Sequence, residues 1–448
     1  MEKTTEFRAP AALAEQFPAL TRHEAVVEAN RCLFCYDAPC THACPTHIDV
    51  PRFIKKIATD NLLGSATTIL ESNLLGATCS RVCPVQELCE GACVLGADHK
   101  PIMIGRLQRY AMDHVYSRGI DVFLPGPATG KTIAIIGAGP AGLSCAGVLR
   151  RLGHSVTLFE KRDLPGGLST YGIIVLREPV DVALAEAQML ERLGVEFKTG
   201  IALGDNLAFQ DLRSQFDAIF LGTGLGVTPD LGIPGEEHIL DGLVYIEASK
   251  LNSAALHSSD EVIVIGAGNT AIDCATIAKR VGATRVTMVY RRSESEMSAY
   301  PHEYEFIKKE GVDFRFLTQP SRVLTDDGKV TGLECVSMLL GVPDATGRPS
   351  PQPIPGSNFV LPASQIIKAI GQKRPALAEL LGLETEKGFI KVNGAFETSL
   401  PNVYAGGDCI RSRGSASTVM AVQDGKLAAQ SIHWKFVTSE NGKGHNGG

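Results

Sequence analysis

No apolar stretch in the 448 residues reaches the ~18–20 that a membrane span requires. Positive charge is not in excess either. Lys and Arg number 43 against 49 Asp and Glu, a net charge of −6. That balance gives no electrostatic basis for binding nucleic acid or an anionic membrane. The first turns of the chain carry scattered charges and no apolar run, so nothing there reads as a secretory signal, and a cytoplasmic location is expected. No Ser-His-Asp or Cys-His arrangement is apparent, which argues against chemistry by an activated side-chain nucleophile. The apolar share of 44% and the charged share of 21% are those of an ordinary globular protein, long enough for two or three domains.

Two residue types are plentiful. The 46 glycines imply many tight turns or close backbone approaches to a ligand. Of the 12 cysteines, eight fall between Cys32 and Cys93: Cys32, Cys35, Cys40, Cys44, Cys79, Cys83, Cys89 and Cys93. The other four, Cys145, Cys274, Cys335 and Cys409, sit in apolar segments and read as core thiols. In a chain expected inside the cell, such a cluster of eight points to metal rather than disulfides. The first group, CLFCYDAPCTHACP, has the spacing C-x2-C-x4-C-x3-C-P. It is close to the ferredoxin run C-x2-C-x2-C-x3-C-P, whose fourth cysteine serves the other cluster of a pair. Cys32, Cys35 and Cys40 would then begin one cluster and Cys44 belong to a second. The second group, CSRVCPVQELCEGAC, would supply the rest. Eight thiolates match two 4Fe–4S clusters in number. Zinc is the alternative, but it is usually bound by paired C-x2-C or Cys/His sets.

The chain divides by pattern. Residues 1–126 read as helical and irregular, with HEAVVEANRCLFC and VPRFIKKIATDNLLGSATTILESN at helical spacing, ending in the linker FLPGPATG. The C-terminal NGKGHNGG reads as disordered. KTIAIIGAGPAGLSCAGVLRRLGHSVTLFEK then reads as strand, glycine turn, helix and strand, and DEVIVIGAGNTAIDCATIAKRVGATRVTMVYRR repeats it. Two such βαβ units imply two dinucleotide-binding domains.

In the first unit Gly137, Ala138, Gly139, Pro140, Ala141 and Gly142 form G-x-G-x-x-G directly after a strand. The first glycine makes the turn, the second admits a pyrophosphate, and the third lets the helix pack closely. Glu160, followed by Lys161, closes the next strand where an acid can bind a ribose hydroxyl. PGGL, with Gly167 and Leu168, follows. Far downstream AGGDC, with Gly407 and Asp408, reads as a turn opening a helix, where an aspartate can hold a ribityl chain. In the second unit Gly266 and Gly268 are followed by Asn269 and Thr270, and Ala271 replaces the third glycine. Its second strand ends in Arg291 and Arg292 rather than an acid, which favours the 2′-phosphate of NADPH over NADH. Glu294 and Glu296 follow closely and work against that. The strand QIIKAIGQ ends at Gly371, another backbone position available to a cofactor.

These loops resemble the flavoprotein reductases with two dinucleotide-binding domains, in which an FAD domain is split by an inserted pyridine nucleotide domain. RCLFCYDAPCTHACP, NLLGATCSRVCP, LCEGAC and PIMIGRLQRYAMD resemble the N-terminal half of dihydropyrimidine dehydrogenase and the separate NAD(P)H-oxidising subunit of the bacterial enzyme. The resemblance implies an α-helical double 4Fe–4S domain at 1–126, an FAD domain in two parts at 127–226 and 369–448, and an NADPH domain at 227–368. It implies that Cys32, Cys35, Cys40 and Cys93 hold one cluster, and that Cys44, Cys83, Cys89 and Gln108 hold the other. Counting thiols alone would choose Cys79 in place of Gln108. The stretch YGIIVLREP departs from the G-I-P-x-F-R-L-P of these families at Ile174, Leu176 and Glu178, while Arg177 remains, expected beside the cofactor. The function implied is electron input. NADPH, with NADH as the alternative, would reduce FAD, and electrons would pass through the clusters to an FMN-containing partner subunit that reduces uracil or thymine, in a hetero-oligomer without nucleic acid or membrane. The glutamate synthase small subunit and the large subunit of the NADH-dependent ferredoxin:NADP oxidoreductase share the same domain order. A different class of reading is a non-enzymatic scaffold that senses redox state or iron.

Overall fold

The computed structural model describes residues 13–253, 256, 259–343, 347–374, 376–411 and 416–441; of the glycine-rich tail, all but Asn441 lies outside them. Helices begin where the sequence supplies caps. Thr21 and Glu24 form a capping box for Arg22–Asn30, and Asp49 accepts from the Arg52 N–H to start Val50–Ala58. The long helical stretch expected after Val50 is two helices. Asp60 takes φ +61°, and Asn61 caps a new helix, Leu62–Ser72.

The chain forms two compact units. Among the described residues, one comprises those within 17–170, 180–226 and 374–441. Its parallel five-stranded sheet runs Val403–Ala405, Ala218–Leu221, Thr132–Ile136, Ser155–Glu160, Glu196–Thr199. The strand after the inserted segment therefore returns to the edge of the sheet begun at Thr132, as a split domain requires. The cysteine-bearing helices are not a separate body. Phe53, Ile54, Leu107 and Met112 share one apolar core with Ile133, Ile135 and Leu149 of the flavin-type domain and with Val422 and Ile432 of the C-terminal helix Thr418–Asn441. A Cβ added at Gly147 would stand 2.6 Å from Leu74 Cδ1 and 2.7 Å from Leu190 Cδ2. The Glu186 carboxylate accepts from the Ala77 and Thr78 N–H groups and so caps the Gly76–Val82 helix that carries Cys79. The boundary expected at 126 is therefore a change of pattern and not a break in packing.

Among the described residues, the other unit comprises those within 13–16, 171–179 and 227–373. Its parallel sheet runs Leu240–Asp241, Gln365–Lys368, Glu261–Ile265, Arg285–Val289, Asp313–Arg315. A three-stranded antiparallel sheet, Thr318–Asp326, Lys329–Pro343 and Pro349–Pro362, is added. The unit closes at Lys373 rather than at 368, and it takes YGIIVLREP from the middle of the flavin-type half.

The departure in that stretch has a physical reason. Ile174, Val175 and Leu176 are buried in the core of the nucleotide unit. Ile174, unlike the proline expected there, has an N–H, and it donates to the Asp273 carboxylate. Arg177 Nη2 donates to both Asp273 oxygens at 2.6 and 2.7 Å, and Nη1 donates to Glu303 at 2.6 Å. Burial opposes the charge on Arg177, but Asp273 and then Glu303 hold the guanidinium ionised. Burial pushes the Glu303 carboxyl up to about 7 and pulls the nearby Lys250 ammonium down to about 8. Arg177 thus anchors the segment 171–179 within the nucleotide unit. Arg177→Met leaves two buried carboxylates without their counter-ion and is expected to cost about 3–5 kcal/mol. Differential scanning calorimetry would show the loss in the nucleotide unit.

Candidate functional site

The strand Thr132–Ile136 delivers Gly137 at φ +99°, where an added Cβ would meet Gly222 O at 2.5 Å. A Cβ at Gly142 would meet Gly137 O at 1.9 Å. Gly139 is different, because the nearest atom to its added Cβ is Gly167 Cα at 3.9 Å. Gly139 caps the Pro140–Arg151 helix with no side-chain partner for its first N–H groups. An open face in front of uncapped N–H groups at a helix amino end fits a pyrophosphate. The loop is held from two sides. Ala138 N–H donates to Glu160 Oε2 at 2.8 Å, and Gly166 N–H donates to Ala138 O at 2.8 Å. Glu160 Oε1 accepts from the Arg162 N–H. Each carboxylate oxygen keeps lone-pair capacity for a ribose hydroxyl. Lys161 and Leu168 are exposed in the same segment.

Gly407 and Asp408 come back to this loop. A Cβ at Gly407 would stand 3.0 Å from Ala141 Cβ, and one at Gly425 would collide with Ala141 O at 2.1 Å. Gly407 N–H donates to Asp424 Oδ2 at 3.0 Å, and Asp424 pairs with Arg411. Burial pushes the Asp408 carboxyl up, and Arg411 opposes it. The helix expected to open at this turn begins instead at Thr418; Asp408 starts a single 3-10 turn, Asp408–Ile410.

In the nucleotide unit Gly266 takes φ +135°, and its Cβ would meet Ala369 O at 2.2 Å. Gly268 caps the Asn269–Arg280 helix without a side-chain partner, Thr270 is half-buried, and Ala271 fills the third glycine's place fully buried. Asn269 Oδ1 accepts from the Tyr300 N–H at 3.0 Å. Gly371 takes φ +93° with open space where a Cβ would stand. The two arginines behave differently. Arg291 is exposed, whereas Arg292 is 8% exposed and its Nε donates to Pro349 O at 3.1 Å. The Glu296 carboxylate, which works against a phosphate here, is stabilised as the anion. Glu296 accepts from Ser293 in a capping box, which holds its carboxyl low. Arg348 donates to Tyr290 Oη at 3.0 Å and Glu296 O at 2.6 Å, adding a third cation that sequence reasoning missed. It lies just before the antiparallel strand Pro349–Pro362, with no local link to the glycine loop.

The cysteines separate into two groups. Cys32, Cys35, Cys40 and Cys93 line one cavity with Val50, Ile54, Ile102 and Ile104. Burial pushes the Cys40 thiol up to about 11, with Cys32 and Cys93 adding to it. Four thiols gathered on an apolar cavity, with burial raising those of Cys32 and Cys40, fit a cationic iron–sulfur core that supplies the compensating charge. Cys44, Cys79, Cys83 and Cys89 form the second group. Cys83 is hydrogen-bonded to Cys79, and that bond, burial, and the charges of Cys79, Cys89 and Cys44 raise its thiol. Gln108 is buried at 7%, and its Nε2 donates to Gly76 O at 2.7 Å, so Oε1 is the amide atom with ligand capacity. Among the described residues no three Cys, His, Asp or Glu side chains converge as they would on a single metal ion. A cubane needs no such convergence, because each thiolate binds a different iron. The Cys44 turn also has a cation that sequence reasoning missed. Lys426 Nζ donates to Thr46 O and Ser72 O, both at 2.9 Å. Burial lowers its ammonium and the Cys44 sulfur raises it. Its sequence signal is faint: a lysine in the buried helix AVQDGKLAA.

A glycine-loop flavin cradle, a second nucleotide loop and two thiol groups define an NAD(P)H-dependent flavin and iron–sulfur oxidoreductase. Residues 10–120 match the family model described as dihydropyrimidine dehydrogenase domain II, 4Fe-4S cluster. Residues 131–425 match that of pyridine nucleotide-disulphide oxidoreductase. The chain belongs to the pyridine nucleotide-disulphide oxidoreductase family, with a 4Fe–4S domain of the dihydropyrimidine dehydrogenase type on its N-terminal side. It is 36% identical over 439 residues to the glutamate synthase [NADPH] small chain of Halomonas elongata, covering 94% of this chain and 92% of that one. It is 34% identical over 425 residues to the NAD-dependent dihydropyrimidine dehydrogenase subunit PreT of Escherichia coli, covering 94% and 96%. Among solved structures, FprA of Mycobacterium tuberculosis in complex with NADPH shares the fold at TM-score 0.57 and 18% identity, over 71% of this chain and 86% of that one. FAD, NAD(P)H and 4Fe–4S clusters are its cofactors, and electron transfer among them is its chemistry. No helix among the described residues is long and apolar enough to cross a membrane.

Proposed function

We propose that this chain is the electron-input subunit of a hetero-oligomeric, cytoplasmic reductase. It oxidises NADPH and delivers electrons to an FMN-containing partner that reduces uracil or thymine. When bound, FAD accepts a hydride as an electron pair and the clusters carry electrons singly. The chain's residues position and tune. The Gly137–Gly142 loop orders the pyrophosphate at a helix amino end, Glu160 binds ribose, and Asp408 binds the ribityl chain. Gly266, Gly268 and Gly371 give the nicotinamide nucleotide close backbone approach, and Arg291, with Arg292 and Arg348 behind it, meets the 2′-phosphate. Hydride transfer needs this positioning and no protein nucleophile.

The observation that supports a pyrimidine-reducing partner is Gln108, buried beside the helix of Cys79 with only its amide oxygen left for iron. A second reading, the small subunit of a glutamate synthase, is favoured by the Arg291–Arg292 pair. Relatives of that kind are named for NADPH and the pyrimidine relatives for NAD. Isolation of the complex from its native host separates the two. NADPH oxidation that depends on uracil or thymine supports the first reading; glutamate formation supports the second.

Coenzyme choice is tested on the subunit alone. kcat/KM is expected to be higher with NADPH than with NADH. Arg291→Ala is expected to reduce that preference by about 1.5–3 kcal/mol, the range for a charge-assisted hydrogen bond. Equal rates with both coenzymes in the unmutated protein would remove the NADPH assignment.

A further inference from the structure

The Lys426 ammonium reaches away from its own helix to the turn that carries Cys44. Thr46 O and Ser72 O accept from it at 2.9 Å each. Thr46 is two residues past Cys44, and its hydroxyl is hydrogen-bonded to Cys44 Sγ at 3.3 Å. The same helix turn reaches the flavin cradle. Asp424 accepts from Gly407 N–H, and Gly425 lies so close to the flavin helix that a Cβ would stand 2.1 Å from Ala141 O and 3.0 Å from Cys145 N. Three consecutive residues of one helix therefore contact the flavin turn, the flavin helix and the Cys44 turn. The one that faces the cysteine turn carries the positive charge.

Resting on the iron–sulfur reading above, we propose that Lys426 sets the reduction potential of the cluster seated on Cys44, Cys83 and Cys89. Reducing a 4Fe–4S cluster adds one electron and no proton, so the cluster becomes more negative by one charge. A fixed cation nearby favours the reduced form, and it does so strongly where burial limits screening. Net charge and surrounding hydrogen bonds are among the levers that set cluster potentials. The Cys32 cavity is lined by thiols and aliphatic side chains, with no cation among its lining residues. The two seats therefore differ in field, and Lys426 makes the Cys44 seat the easier of the two to reduce. Electrons leaving the flavin would be drawn to the cluster whose turn lies against the flavin-bearing helix.

The test is a potentiometric titration followed by low-temperature EPR on the full chain with its cofactors, comparing the unmutated protein with Lys426→Gln, Lys426→Met and Lys426→Arg. Iron and sulfide are counted in every sample. Gln keeps a donor for the two carbonyls and removes the charge; Arg keeps the charge. In Gln and Met one cluster is expected to show a reduced:oxidised ratio about tenfold lower at fixed potential. That is 59 mV for a one-electron couple. The other cluster is expected to move much less, and Arg to stay near the unmutated values. Unchanged midpoints in Gln with both clusters present would overturn the proposal. So would an Arg variant that shifts as far as Gln, or loss of about half the iron in Gln, which would make Lys426 a structural tie. If the unmutated protein held no iron–sulfur clusters, the cofactor reading itself would fail, a result the iron count separates from the others.

Discussion

Gly142→Ala is expected to give a protein without flavin. The added methyl carbon would stand 1.9 Å from Gly137 O and 3.3 Å from Ile135 Cγ2. The first contact is with backbone, which cannot rotate away. Either the Pro140–Arg151 helix withdraws from the strand or the Gly137 turn opens. Both move the N–H groups that meet the pyrophosphate. Packing also suffers, because this helix shares its core with Leu190 and with Ile432 of the C-terminal helix. Flavin content after gel filtration is expected to fall at least tenfold, with NADPH oxidation falling in step. Gly139→Ala is the control. Its Cβ would have 3.9 Å to the nearest protein atom, so the apoprotein is expected to fold normally while flavin affinity drops. Normal flavin content in both variants would show that the cradle is misassigned.

The second large effect is expected at the Cys44 seat. Cys83→Ser is expected to lose about four irons, one cluster of two. Gln108→Ala is expected to disturb the same cluster if the proposed ligand role holds, because it removes the amide whose Nε2 binds Gly76 O and whose oxygen is the proposed ligand. Cys79→Ser is expected to keep both clusters. Cys79 is 2% exposed within the apolar core. Its sulfur contacts that of Cys83, so it can support a ligand without being one. Iron counting and low-temperature EPR on the three variants decide the matter. If Cys79→Ser lost four irons and Gln108→Ala lost none, the eight-thiolate count would be right and the glutamine ligand wrong.

Much of this was legible in the sequence because the signals are local. A strand, a glycine turn and a helix lie within one run of chain, so Gly137–Gly142 and Gly266–Gly268 could be placed without any tertiary information. The split of the flavin domain came from the family resemblance, which Gly407 and Asp408 helped to carry. What was not legible depends on contacts between distant residues. Arg177 pairs with Asp273 and Glu303, 96 and 126 positions away. No periodicity in YGIIVLREP could show that it packs with the nucleotide unit. Arg292 was read as a phosphate ligand equal to Arg291, yet its Nε is held by Pro349, 57 positions on. Cysteine spacing opened the first cluster with Cys32, Cys35 and Cys40. That Cys93 completes it came from family resemblance, and the cavity brings all four together. Lys426 escaped because a lysine in a helix is usually a solvated end, and nothing local says that this one turns inward.

The most direct test is anaerobic addition of NADPH to the purified chain loaded with FAD and about eight irons. The expected result is bleaching of the flavin absorbance, followed by the EPR signal of reduced 4Fe–4S clusters, with no partner subunit present. An unbleached flavin in a protein that holds both cofactors, or zinc in place of iron, would contradict the electron-input reading and return the chain to the class of redox-sensing scaffolds.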